Sequence, residues 1–175
     1  LIYILTISKI LISLLIGDTS YENEWEIINT NLINYGELSY YFINDQRIPS
    51  IYMPPLYSYF LYLFHFFNLE ELYTVKLVLV VQCILSGITS IIFFNILKSF
   101  INVKTSFYIS ILYSIFPLNF YAATQISSVT LQIFLLVFFI YFFLNSKKYY
   151  EYILLGILSG LLILIRGEFW LLFLI

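Results

Sequence analysis

Residues 75–97 read "VKLVLVVQCILSGITSIIFFNIL", apolar apart from Lys76 beside the start and a few small polar groups. Wound as an α-helix at 1.5 Å per residue, the run is about 35 Å long, enough to cross the ~30 Å hydrocarbon core of a bilayer. Working outward, residues 1–17, 105–121, 131–145 and 149–165 have the same character, and another such run begins at 169. Of the 175 residues, 62% are hydrophobic and 10% charged, and the mean hydropathy is +0.95. A soluble domain carries about 25% charged residues, so this chain has too little polar surface to face water on all sides. The expected fold class is therefore all-α: a polytopic transmembrane helical protein whose solvent is lipid.

The same composition removes several functions. With a net charge of −2 and no basic run, the chain offers nothing to nucleic acid. Cys83 is the one cysteine, so no internal disulfide exists, and its apolar setting marks it as a small buried hydrophobe. His65 lies among Phe64, Phe66 and Phe67 and reads as a packing residue. No phosphate-binding loop, nucleophile elbow or paired-cysteine motif is present. Leu1 and Ile175 both fall inside apolar runs, and the chain is expected to be the N-terminal part of a longer membrane domain without a cleavable leader. The excess of Ile, Asn, Lys, Tyr and Phe suggests an AT-rich genome and a bacterial inner membrane.

Residues 18–74 form the only substantial hydrophilic region. Asp18, Glu22, Glu24, Glu26, Glu37 and Asp45 stand there against one base, Arg47, up to that position. Trp25, Ile28, Leu32 and Tyr35 recur at helical spacing, predicting an amphipathic helix over 21–35 that lies on the bilayer surface. Thr19 and Glu22 fit a capping box at its start and Gly36 a stop at its end. Residues 54–67 are apolar and aromatic, but as a helix they reach only about 21 Å. Lys98 and Lys104 flank one short loop, and Lys147 and Lys148 mark another, which places both on the cytoplasmic side. By parity the 75–97 helix then starts outside. If the first helix leaves the cytoplasm, 54–67 is an interfacial or re-entrant helix and 18–74 is an extracytoplasmic loop. Asp18, Glu22, Arg47, Pro54, Pro55, the 122–128 turn, Arg166 and Glu168 then share the outer membrane boundary.

Two kinds of chemistry are open to these residues. Asp18, at the end of the first helix, is either a general base or a helix cap. Glu22 and Glu26 follow at one-turn intervals on the same face, so a pair of carboxylates there could divide acid and base roles, hold a divalent cation, or simply be solvated. Arg166 is either a snorkelling cation at a membrane edge or a bidentate ligand for a phosphate, with Glu168 as its counter-charge. Gly156, Ser159 and Gly160 form a small-residue stripe of the kind that marks close helix packing.

Four segments carry a resemblance: "GDTSYENEWEIINTNLINYGELSY" (17–40), "RIPSIYMPPLYSYFLYLF" (47–64), "SSVTLQIFLLVFF" (127–139) and "LLGILSGLLILIRGEFWLLFL" (154–174). Their order is similar to that of the GT-C glycosyltransferases of the dolichyl-phosphate-mannose-protein mannosyltransferase and aminoarabinose transferase superfamily. The resemblance implies a GT-C fold with an outer first loop carrying interfacial helices. It also implies a sugar donor linked to polyprenyl phosphate and inverting transfer to a lipid, glycan or protein acceptor on the extracytoplasmic face. It puts the catalytic acid of the first loop on Asp18, with substrate-binding roles for Glu22, Arg47, Pro54, Pro55, Tyr57, Arg166 and Glu168, of which Arg166 meets the lipid phosphate. No metal ligand set is implied, although a divalent cation stays open. Where many relatives have an acidic residue, this chain has Ser128, Val129 and Thr130. A polytopic transporter or lipid-sugar flippase, and a non-catalytic membrane assembly subunit, are the alternative readings.

Overall fold

The computed structural model describes residues 1–21, 24–43, 46–49 and 53–173, with only the backbone of Phe42, Ile43, Arg47 and Leu172. Among these residues the chain is mostly helical: α1 Ile2–Ile16, α2 Glu24–Tyr35, α3 Pro55–His65, α4 Glu71–Leu97, α5 Val103–Ile115, α6 Pro117–Thr124, α7 Ser128–Asn145 and α8 Tyr149–Ile165. A short 3₁₀ helix, Gly167–Phe173, follows α8. α4 and α7 are each long and apolar enough to cross a membrane, and the bent pair α5–α6 passes the same test taken together.

α4 is the spine. It packs on α1, α5 and α7, and α7 in turn packs on α8. α3 sits across α2, α4 and α8, so one apolar core joins Tyr57, Leu61, Val75, Leu79, Leu135 and Leu162. The neighbouring seam between α1, α4 and α5 is the reverse of a soluble core. Ser13, Ser86, Ser90, Ser106, Ser110 and Ser114 are buried there, while Ile4, Ile7, Leu11, Tyr108, Leu112 and Ile115 point outward. Ser90 and Ser110 satisfy their hydroxyls on the carbonyls of Ser86 and Ser106, at 3.0 and 2.8 Å. Small hydroxyl residues let helix backbones approach where apolar surface gives no advantage over lipid. Gly87 belongs to this seam, since a Cβ there would strike Thr6 of α1.

Several expectations need correcting. The run over 105–121 is not one straight helix. Pro117 has no N–H to continue α5 and holds Phe116 extended at φ −54°, ψ 125°, so the chain restarts as α6 at a 51° bend. α4 begins at Glu71 rather than 75, and α7 at Ser128 rather than 131, with the Ser127 side chain accepting the Val129 N–H at 3.3 Å. α2 begins at Glu24, and its proposed capping partner Glu22 lies outside the described residues. Ile28 and Leu32, expected on a face resting on the bilayer, are buried within the protein, α2 packing on α3, while Tyr35 on the same stripe is half exposed. Gly36 does end the helix: at φ +72° its N–H returns to the Leu32 carbonyl, 3.0 Å away.

The first loop also holds an antiparallel hairpin that the sequence did not announce, β1 Ser39–Ile43 with β2 Gln46–Pro49. Asn31 of α2 ties it down by donating to the Ser39 carbonyl at 2.9 Å. Among the described residues nothing lies within 4 Å of a Cβ at Gly156 or Gly160, so no close packing contact is made at that stripe there. After α8 the described chain is 3₁₀ helix, where another span was expected to begin. Lys9 is the largest surprise. It sits mid-way along α1 and is 1% exposed, with Nζ donating to Ser86 Oγ at 2.8 Å and lying 5.7 Å from the centre of the Phe120 ring.

Candidate functional site

α1 ends at Gly17, where the neighbouring backbone leaves no room for a side chain. The Lys76 ammonium caps the helix by donating to the carbonyls of Ser13 and Gly17, at 3.1 and 2.9 Å, as a cation should at a helix C-terminus. The chain then turns and delivers Asp18, half-buried, to the connection between α6 and α7. There Asp18 Oδ2 accepts the backbone N–H of Ile126 at 2.7 Å. Asp18 therefore does not cap α2, which starts several residues later. It anchors the first loop to the 125–127 turn.

Gln82 of α4 secures the same turn from beneath. It is fully buried, and its Nε2 donates to the Gln125 carbonyl at 2.7 Å, while its Oε1 accepts the Tyr57 hydroxyl at 2.7 Å. Burial pushes the Tyr57 hydroxyl well above its ordinary pKa, so it stays a neutral donor. Tyr57 has no exposed surface, and it positions Gln82 and, through Gln82, the turn. Gln82 is a positioning residue that the sequence reading missed, and a lone glutamine within an apolar run was the available signal.

On the far side of this turn lies a cavity of about 190 Å³ lined by Trp25, Met53, Pro54, Ser128, Ile165, Arg166, Gly167 and Glu168. It gathers three of the expected residues, Pro54, Arg166 and Glu168. α8 stops at Ile165, and Arg166 is extended, so the following 3₁₀ turn sets Arg166 and Glu168 on one rim. Their charged atoms are 4.0 Å apart and both side chains reach solvent, so the pair is loose and leaves the guanidinium open to another anion. Trp25 forms the opposite wall, held edge-on to Tyr57 at 4.7 Å between ring centres. Asp18 does not line this cavity. It meets the same short segment from the other side, at Ile126, while Ser128 faces the cavity.

Pro54 and Pro55 open α3, where a proline at the first helical position costs no hydrogen bond. Arg47 belongs to β2 opposite Phe42, and its side chain is outside the described residues, as is Glu22 entirely. No group of three or more metal-ligating His, Cys, Asp or Glu side chains occurs among the described residues.

A second, apolar groove lies near the Arg166 cavity. About 370 Å³ in volume, it is walled by Leu56, Tyr59, Phe60 and Leu63 of α3, Leu131 and Leu135 of α7, and Leu161 of α8. Leu131 is one helical turn beyond Ser128, and Leu161 one turn before Ile165, so neighbouring turns of α7 and α8 line the groove and the cavity. A cation at the head and an aliphatic trough behind it suit an amphiphile with an anionic headgroup. No family model, curated protein or solved structure matches the chain.

Proposed function

We propose that this chain is part of a membrane glycosyltransferase that uses a sugar donor linked to polyprenyl phosphate. The observation that carries the reading is that neighbouring turns of α7 and α8 line both the Arg166 cavity and the apolar groove between α3, α7 and α8. The phosphate of the donor would sit against the Arg166 guanidinium, which presents paired N–H donors to paired oxygens. The prenyl chain would lie over Leu131, Leu135 and Leu161. Asp18 takes the proton from an acceptor hydroxyl or amine as that atom bonds to the anomeric carbon. The bond from that carbon to the phosphate oxygen breaks, and the polyprenyl phosphate leaves with its charge held by Arg166. The sugar passes with inversion to a lipid, glycan or protein acceptor. We place the enzyme in a bacterial inner membrane as a multi-pass GT-C protein with this face outside.

Arg166→Lys keeps the charge but removes the planar fork. In the full-length enzyme it is expected to raise the apparent donor KM several-fold, with a smaller change in kcat. Unchanged kinetics would make Arg166 a snorkelling residue and leave the cavity without its anion ligand.

The topology is tested at the end of α3. That helix spans only about 16 Å at 1.5 Å per residue and cannot cross the core. Phe67 follows it and is 62% exposed. Phe67→Cys should react with a membrane-impermeant thiol reagent added from outside to intact cells. Reaction only after the membrane is opened would place the site on the wrong face.

One observation favours the transporter or flippase reading. A buried mid-helix lysine, Lys9, lies against the broken helix pair α5–α6, and such features mark substrate paths in transporters. The Asp18 variant discussed below separates the two readings.

A further inference from the structure

We propose that Lys76 is a positioning residue for Asp18, holding the backbone on one side of that residue while the 125–127 turn holds its carboxylate on the other; the consequence for sugar transfer rests on the base role proposed above. The Lys76 Nζ donates to the Gly17 carbonyl at 2.9 Å and to the Ser13 carbonyl at 3.1 Å. The Gly17 carbonyl belongs to the planar peptide unit that carries the Asp18 N–H, so that unit cannot turn without moving the Asp18 Cα. Beyond the Cα, Asp18 Oδ2 accepts the Ile126 N–H at 2.7 Å, which leaves Oδ1 to receive a proton.

Both ties lead back to α4. Gln82 Nε2 donates to the Gln125 carbonyl at 2.7 Å, and that carbonyl shares its peptide unit with the Ile126 N–H. One helix therefore grips two peptide units by their carbonyl oxygens, Gly17–Asp18 through Lys76 and Gln125–Ile126 through Gln82. Asp18 is held between them. The two gripping residues are separated by about 9 Å along the axis at 1.5 Å per residue, a spacing that the α-helix keeps rigid.

Capping accounts for a cation at the end of α1. It does not account for the matching grip on the peptide unit that Asp18 reaches. Among the described residues the Lys76 ammonium forms no ion pair, and its bonds go to backbone. The gripped segments are also in close approach, since a Cβ at Gly17 would lie 2.7 Å from the Thr124 carbonyl oxygen. Releasing the Gly17 carbonyl would let the end of α1 turn and take the carboxylate with it. A misplacement of about 1 Å can cost on the order of 10²-fold in rate.

The test uses the full-length protein in nanodiscs. Lys76→Met keeps the length of the side chain but removes its donors, and Lys76→Arg keeps charge and donors. Amide hydrogen exchange at Ile126 should quicken at least tenfold in Lys76→Met and return to near the wild-type rate in Lys76→Arg, while the amides of residues 79–90 in α4 keep their protection. Loss of stability alone would quicken both sets together. Sugar transfer by Lys76→Met should fall about 10- to 10²-fold in kcat with the apparent donor KM little changed, and Lys76→Arg should recover it. Should Lys76→Met not fold, Lys76→Gln, which is neutral and keeps an N–H donor, takes its place with a smaller effect in the same direction. Unchanged exchange at Ile126 overturns the proposal. So does quickened exchange with wild-type kcat, if Asp18→Asn is inactive on the same assay. Wild-type transfer by Asp18→Asn would instead sink the base role, and exchange at Ile126 would then decide alone whether Lys76 holds Asp18 in place.

Discussion

Asp18→Asn should give a full-length protein that inserts, folds and binds its lipid-linked donor but transfers sugar about 10²- to 10⁴-fold more slowly, the usual contribution of a general base. The geometry makes this substitution informative. Asp18 Oδ2 accepts the Ile126 N–H, and the amide oxygen of asparagine can accept the same bond. What is lost is the proton-accepting carboxylate and the charge assistance to one hydrogen bond, on the order of 1 kcal/mol of stability. Transfer rate and thermal stability, measured on one preparation, therefore separate a base from an anchor. Transfer near the wild-type rate would reduce Asp18 to a tie between the first loop and the 125–127 turn. A transporter or flippase would keep moving its lipid-linked cargo with asparagine at this position, because its buried charge is Lys9.

The largest effect on folding is expected at Gly17. Its φ of −73° and ψ of 172° suit any residue, so space alone excludes a side chain there. A Cβ would collide with the Ser13 carbonyl and come within 2.7 Å of the Thr124 carbonyl and 2.9 Å of Leu79 Cδ1. Two of these neighbours are backbone and cannot rotate away. Gly17→Ala should destabilise the protein by about 1–3 kcal/mol or more, the cost of overpacking a filled site. It should also loosen the end of α1, with Asp18 attached. Gly156→Ala is the control: with open space around it in α8, alanine should be neutral or stabilising by about 0.5–1 kcal/mol. Unfolding midpoints of the two variants in the same detergent check this, and a Gly17→Ala midpoint equal to wild type would show that the approach of α1 to α6 is not tight.

The helical architecture was legible wherever hydrophobicity alone decides it. The runs that became α4, α7 and α8 are long, apolar and bounded by lysines or small polar residues, so their existence needed no tertiary information. Boundaries failed where a local residue overruled the pattern. Pro117 lies inside an apolar run whose hydropathy hides the break, although its missing N–H was visible in the sequence. The paired strands Ser39–Ile43 and Gln46–Pro49 were overlooked because they are short and rich in residues equally at home in an interfacial helix.

Arg166, Glu168 and Pro54 were found as candidates because charge or proline at a membrane edge is unusual, and they do share a cavity. Trp25 was read as one apolar residue on an amphipathic face, and its place on the cavity wall depends on Tyr57, on another helix. The partners of Gln82 and the Asp18 bond to Ile126 were beyond the sequence for a related reason. Both depend on partners brought close only by the folding of α4 against α6 and α7. Lys9 was the opposite case, a charge within the apolar run of the first helix, a signal visible from the outset.

The bond from Asp18 to Ile126 joins residues 108 positions apart, and that separation governs how the protein is made. A ribosome adding roughly 5–20 residues each second needs about 5–20 s to pass from one to the other. During that interval the first loop has no turn to hold it. Its carboxylate can settle only after α4, α5 and α6 have been made and folded against one another. A failure in any of those three leaves α1 made and the Asp18 connection unassembled. Nascent chains arrested before residue 126 should accordingly show residues 18–21 open to added protease, and chains arrested well beyond α7 should show them protected.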